Sequence, residues 1–165
     1  MKIKILAVVI VFVLLMAAST EVHAFGLGAQ ANFSAGEIFA PGAALLISPS
    51  DITHLAFNWY LDFDNVNIFG ITLDLVPLTL PISTFRAGSL NFTLGLGLFA
   101  NIIFESDPGV NGGLRLPIGF NVLLGNRVLE IFTHVAPSFG VDFIPSFQLS
   151  NPFFPIALGA RLWFR

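Results

Sequence analysis

Apolar and polar side chains alternate through two successive runs between Gly113 and Pro137. In the first run Leu114, Leu116, Ile118, Phe120, Val122 and Leu124 share one parity, and Gly113, Arg115, Gly119 and Asn121 the other. In the second, Leu129, Ile131, Thr133 and Val135 alternate with Glu130, Phe132 and His134. A period of two over this length is the signature of a strand with two unlike faces. Gly125-Asn126 between the runs predicts a two-residue hairpin turn, because glycine accepts positive φ without steric cost. A turn of that length sets Phe132 opposite Gly119.

The same alternation recurs along the chain. Phe25 to Phe33 reads as a first strand, with Phe25, Leu27, Ala29, Ala31 and Phe33 opposed to Gly26, Gly28, Gln30 and Asn32. Pro41 to Ile47 is a weaker second strand. Ile52 to Phe63 is a third, with Leu55, Phe57, Trp59 and Leu61 against His54, Asn58, Tyr60 and Asp62. Ile68 to Val76 is a fourth, where Ile71, Leu73 and Leu75 oppose Thr72 and Asp74. The stretch from Pro77 to Ala87 reads either as a long turn or as a bent strand extension. Leu90 to Ile103 is the fifth strand, the two runs around Gly125-Asn126 are the sixth and seventh, and Pro155 to Phe164 is the eighth. Phe139, Val141 and Phe143 keep the alternation beyond the seventh. Eight strands with short connections predict an all-β, up-and-down antiparallel architecture.

The first 24 residues follow another pattern. Lys2 and Lys4 precede an unbroken apolar run from Ile5 to Met16, and Val22-His23-Ala24 presents the residues a signal peptidase reads. Residues 1–24 are therefore expected to be a secretory signal peptide, and residues 25–165 the barrel domain. Composition narrows the class further. Charged residues make up 10% of the chain, against about 25% in average soluble domains, too few to clothe a water-facing surface. A net charge of -3 and a pI near 5.4 leave no basic footprint for nucleic acid. With no cysteine, disulfides, thiolate metal sites and a cysteine nucleophile are excluded.

Alternation defines two faces without saying which meets water. The aliphatic parity is rich in Leu and Phe and carries no charge in any of the eight strands, while the other holds Asp62, Asp74, Arg115, Glu130 and Arg161 among Gly, Ala, Asn and Thr. Small residues suit a tight interior, and a uniform Leu/Phe face suits lipid better than a uniquely packed core. A β-structure in lipid must close on itself, since no water is there to satisfy free backbone groups. Eight strands leave an interior that side chains fill, so no open pore is expected. The predicted fold is an eight-stranded antiparallel transmembrane β-barrel, following a cleaved signal peptide.

The segment RLPIGFNVLL, GN, RVLEIFTHVAPSFGV, and then IALGARLWFR, resembles the small outer-membrane β-barrel proteins of spirochaetes, diverged relatives in architecture of OmpA- and OmpW-type barrels. The resemblance covers about residues 112–165 and the start FGLGAQANF. It rests on an Arg-x-Pro-x-Gly strand (Arg115, Pro117, Gly119), a Leu-Glu-Ile-Phe strand leading to Ala136-Pro137, and a Gly-x-Arg closing strand (Gly159, Arg161). Pro41 to Ala87 shows no such match. The resemblance implies an outer-membrane location and no particular chemistry. Ile156, Leu158, Ala160, Leu162 and Phe164 resemble the C-terminal signal read by the barrel-assembly machinery, although Arg165 follows where that pattern ends on the aromatic.

Asp62, Asp74, Arg115, Glu130, His134 and Arg161 are the candidate interior network. Charges removed from water must be paired, so they read as lumen-filling partners rather than as a solute path. His134 with Ser138 suggests a lipid hydrolase, but no carboxylate is placed to orient the histidine, and no catalytic role is assigned. His54 and His134 lie on different strands, and no metal or cofactor site is expected. The glycines of LGLGL precede no helix and are not a phosphate loop. Trp59, Tyr60, Trp163 and Phe164 are candidates for interfacial belts. The expected function is a non-enzymatic integral outer-membrane barrel whose partners are membrane lipids and the assembly machinery, with loops for envelope structure or surface contact. The alternatives are a narrow channel for small hydrophobic molecules and a soluble periplasmic lipid-binding barrel.

Overall fold

A computed structural model of the chain describes residues 24–35, 40–61, 67–104 and 108–164. Among the described residues eleven strands follow one another: β1 (Phe25–Ala35), β2 (Ala40–Ser48), β3 (Thr53–Leu61), β4 (Asn67–Phe85), β5 (Gly88–Phe104), β6 (Gly109–Arg115), β7 (Ile118–Leu124), β8 (Leu129–Val135), β9 (Ser138–Ile144), β10 (Gln148–Leu149) and β11 (Phe154–Phe164). All pairings are antiparallel. β6 and β7 are one stave bent at Leu116-Pro117, and β8 and β9 another bent at Ala136-Pro137. The bends bond to their neighbours through Leu116 N to Pro137 O at 2.9 Å and Gly95 N to Pro117 O at 2.9 Å. Proline is tolerated there because its carbonyl still accepts. β10 is a short flap on β9, which leaves eight staves.

The eight staves close. A path of directly paired residues leaves β4 at Leu80 and passes through Phe92, Phe120, Thr133, Leu158, Ala31, Ala43 and Trp59, returning to β4 at Phe69. The displacement from Leu80 to Phe69 is the stagger of the barrel, and a stagger of this size at eight strands tilts them by about 40°. The turns after β2, β4 and β7 lie at one end, the turn end, with Phe25 and Phe164; β1, β3, β5 and β9 finish at the other, the loop end.

The faces follow the sequence parity. Leu45, Leu98, Leu114 and Leu158 point outward and are 68%, 48%, 55% and 58% exposed. Asn32, Asn58, Arg115, Glu130 and Arg161 point inward and are buried. The largest fully buried side chains are Asn32, Asn58, Ser48 and Ser138, an inversion of the usual apolar interior. The buried apolar cluster is small: Ala44, Leu46, Ala56 and Phe132.

Three local expectations differ from the structure, and one alternative left open is resolved. The turn between β7 and β8 takes four residues, Gly125 to Val128, with positive φ at Gly125, Asn126 and Arg127 (58°, 55° and 67°) and Val128 N bonded to Gly125 O. Leu124 therefore pairs Leu129, and His134, not Phe132, lies opposite Gly119. The slip is two residues, so every side chain keeps its face. Pro77 to Phe85 is a strand extension of β4, paired with β5 through two register shifts. Tyr60 and Trp163 point inward and are buried, whereas Trp59 and Phe164 point outward; of the four aromatics, only these two are on the face an interfacial belt requires.

Candidate functional site

The interior polar groups come from neighbouring staves brought level by the stagger. At the turn end Glu130 on β8 is the centre. Its Oε2 accepts from Arg161 Nη1 at 2.9 Å and from Trp163 Nε1 at 2.8 Å, both on β11. Its Oε1 accepts from Asn121 Nδ2 on β7 at 2.7 Å. Asn91 on β5 extends the chain, its Nδ2 donating to Asn121 Oδ1 at 2.8 Å. The guanidinium of Arg161 also lies 5.0 Å from the Phe132 ring centroid and 5.3 Å from that of Trp163. A carboxylate with three donors and an arginine held by carboxylate and two rings are the arrangement that offsets removal of both charges from water. Arg161 Nε has no hydrogen-bond partner.

Toward the middle of the barrel, Arg115 Nε on β6 lies 3.2 Å from Asp74 Oδ1 on β4. The contact is an ion pair without hydrogen-bond alignment. Arg115 Nη2 meets His134 Nε2 at 3.1 Å. A guanidinium can only donate, so this nitrogen of His134 is the acceptor. The His134 ring stacks on Phe132 at 5.8 Å and 8°. A third group runs along β1 and β3: Gln30 Nε2 donates to Asn32 Oδ1 at 2.7 Å, and Asn32 Nδ2 to Asn58 Oδ1 at 2.9 Å. Ser48 Oγ and His54 Nδ1 are 3.0 Å apart.

Of the sequence candidates, the structure places Asp74, Arg115 and His134 in one contact group, and Glu130 with Arg161 in another. Asp62 lies outside the described residues. Ser138 and His134 do not form a pair: Ser138 Oγ donates to Ala136 O at 2.8 Å while His134 faces Arg115. Among the described residues no three metal-ligating side chains converge. Ile156, Leu158, Leu162 and Phe164 point outward and are 44%, 58%, 49% and 55% exposed. The sequence reading set Asn121, Gln30 and Asn32 on the polar parity but left them, with Asn91 and Trp163, out of the candidate network; Asn91, Asn121 and Trp163 complete the Glu130 group, and Gln30 and Asn32 belong to the third. The available signal was a carboxamide or indole at inward parity in an otherwise aliphatic strand.

The inward glycines make room for these groups. A Cβ on Gly159 would meet the Phe132 ring and Ala29 O, and one on Gly97 would meet the Asp74 carboxylate and Arg115. Phe132 thus covers Gly159 on β11, its direct partner, rather than Gly119.

The expected side-chain-filled interior holds only in part. A cavity of about 460 Å³ occupies the turn end, with Asp51, His54, Ser89, Arg127, Glu130 and Arg161 in its lining. At about 30 Å³ per molecule it has room for roughly 15 waters. It is left open because β4 and β5 present small side chains there: Thr79, Thr84, Ser89 and Thr93. Above it, Arg115, Asp74, His134, Asn32 and Asn58 occupy the bore.

No protein-family model matches the chain, and no curated protein matches it. Among solved structures it is similar to the N-terminal β-barrel domain of OprF from Pseudomonas aeruginosa, at 12% identity over 84% of this chain and 97% of that one, with a TM-score of 0.47. It is similar to Ail, the attachment invasion locus protein of Yersinia pestis, at 12% identity over 86% and 97%, with a TM-score of 0.46. It is also similar to Neisserial surface protein A, at 10% identity over 86% and 96%, with a TM-score of 0.46.

Proposed function

We propose that the chain is an integral outer-membrane β-barrel that is closed to solutes and acts without catalysis, its loop end serving envelope structure or surface contact. The observation that carries this reading is the inversion of polarity around a closed barrel. The ring from Leu80 through Leu158 to Phe69 contains no charged residue, and it encircles Asp74, Arg115, Glu130 and Arg161 in buried ion pairs. In water that arrangement exposes a continuous apolar belt and buries ions. In lipid the belt is solvated by acyl chains, the backbone is satisfied between staves, and the ions stay paired inside.

The mid-level group stands across the bore. Arg115 joins β6 to Asp74 on β4 and to His134 on β8, and an ion moving along the axis would have to break those contacts. Residues 1–24 supply export, Ile156, Leu158, Leu162 and Phe164 the recognition surface for the assembly machinery, and membrane lipids the lasting partners.

The test is recovery and conductance of the full chain. Cell fractionation should place it in the carbonate-resistant membrane fraction, with heat-modifiable gel migration. The folded protein in planar bilayers should give no unitary current. Recovery in the soluble periplasm overturns the membrane reading, and steady conductance from heat-modifiable protein overturns the closed bore.

A further inference from the structure

The barrel wall is incomplete at the turn end. Pairing of β3 with β4 ends at Thr53 and Leu75, and the last bond across that seam is Val76 N to Ile52 O at 2.7 Å. From Pro77 to Phe85, β4 pairs with β5 alone among the described strands. Inward-pointing side chains on the paired staves around the cavity include the buried Asn91, Asn121 and Glu130. Thr79, Pro81 and Thr84 also line the cavity, yet they are exposed. The cavity therefore opens sideways through a notch between Ile52 and the free edge of β4.

The sequence guards this edge against another strand. Gly95 N bonds to Pro117 O, so the backbone groups of Gly95 point to β7 and those of Leu94 and Leu96 point to β4. Their partners Leu78 and Leu75 then face β5, which turns Val76 and Pro77 toward the notch. Pro81, one residue beyond Leu80 and its partner Phe92, points the same way. Both prolines sit where an amide hydrogen would be offered to a newcomer. Removing donors from an edge is how sheets resist strand addition, and it also lowers the cost of leaving that edge unpaired beside lipid. The occupant that fits is not a polypeptide.

Two environments meet at the notch. Outside it, Leu78, Leu80 and Ile82 continue the apolar belt at 38%, 49% and 55% exposure. Inside it are Glu130, Arg161, Asn91 and Asn121, with Arg161 Nε lacking a partner. Acidic and basic groups balance: Asp51, Asp74 and Glu130 line the cavity with Arg127 and Arg161, and Arg115 contacts Asp74 from outside the lining. A balanced lining favours a head group without net charge over an anion. A cavity of about 460 Å³ is of the size that holds a small-molecule group.

We infer that the turn-end cavity binds the polar head of a single-chain amphiphile of zero net charge, whose chain leaves through the notch between Ile52 and Pro77. This rests on the membrane-barrel reading above. It assigns the cavity a ligand class and the prolines the task of keeping the notch free of protein.

The two tryptophans make a direct assay. Trp163 lines the cavity, while Trp59 points outward near the loop end. In the full-length chain carrying Trp59→Phe, folded in maltoside micelles and checked by heat-modifiable migration, Trp163 is the sole tryptophan. The probes are lysophosphatidylcholine with a nitroxide on its head group and the same lipid with the nitroxide at its chain end. The head-labelled probe should quench Trp163 saturably and several-fold more than the chain-labelled one, and unlabelled lysophosphatidylcholine should compete. Ser89→Phe, which fills the cavity, should abolish the saturable part, and Thr93→Phe supplies the same test if the first variant fails to fold. Equal quenching by both probes, quenching that rises linearly without saturation, or saturable quenching unchanged in a folded filled variant overturns the inference. A chain that shows no heat-modifiable folded form overturns the barrel reading itself, and the inference with it.

Discussion

Leu158→Arg separates the two media that the outer face might meet. Leu158 lies near the middle of β11, points outward, and is 58% exposed. That fraction of a leucine is roughly 100 Å² of apolar surface, worth about 2.5 kcal/mol when transferred from water to an apolar medium at about 25 cal/mol/Å². Arginine forfeits much of this and adds a charge that must snorkel toward the head groups. At the bilayer midplane the sum for a barrel is about 2–4 kcal/mol, falling to about 0–1 near the interfaces. Phe164, at the turn end of the same strand and 55% exposed, is the matched control. Urea unfolding of the barrel from phosphatidylcholine vesicles, followed by tryptophan emission, should show a loss of about 2–4 kcal/mol for Leu158→Arg and about 1 or less for Phe164→Arg. In a soluble barrel both positions would face water, where such substitutions stay within about 0.5 kcal/mol. A flat profile across the two sites, each within that margin, refutes the lipid-facing assignment.

Three further outcomes follow. Glu130→Gln leaves Arg161 buried without its carboxylate and should cost about 3–5 kcal/mol, while adding Arg161→Met should recover a good part of it in a double-mutant cycle on the same unfolding assay. Additive losses would show that the ion pair between them carries no coupling. Gly159→Val places side-chain atoms against the Phe132 ring and Ala29 O and should destabilise by about 1–3 kcal/mol; the added Phe132→Ala should relieve the strain, and persistence of the full loss would show that the clash is with backbone alone. Phe164→Ala should lower the amount of assembled barrel in cells while folding from urea into vesicles proceeds as before. Equal losses in both settings would remove the assembly-signal reading.

Parity was legible because the charges fall on one face of the strands while the other is largely aliphatic, and any even slip preserves it. That is why Glu130, Arg161 and Asp74 were readable as inward-pointing although the turn at Gly125 was misjudged. The turn itself was not legible: Gly125-Asn126 suits a two-residue loop, yet Arg127 also takes positive φ at 67°, a conformation its side chain gives no reason to expect. Pro77 and Pro81 left the lower half of β4 undecided between a turn and a strand, since proline signals a break unless its missing donor faces a free edge. The cavity was hidden for a different reason. Alternation names the side chains that point inward but not the level at which each stands. The emptiness beside Ser89 and Thr93 depends on the stagger, which no single strand encodes. The bond between Trp163 and Glu130 has the same origin, arising from two strands 33 residues apart in sequence.

The seam of the barrel pairs β1 with β11, Phe25 against Phe164 and Leu27 against Leu162. The first strand thus waits for the last. Until β11 is available, β1 and β8 each present a bare margin. A nascent form lacking the final strand has the length of a barrel and the hazards of an open sheet. Because its closing contacts span the whole domain, collapse is intrinsically late. On the membrane-barrel reading proposed above, the chain has to be held apart from its own kind until it reaches the bilayer. A deletion at the closing strand would accordingly be more harmful than one of equal size in a loop, through aggregation before insertion rather than through weakened contacts afterwards.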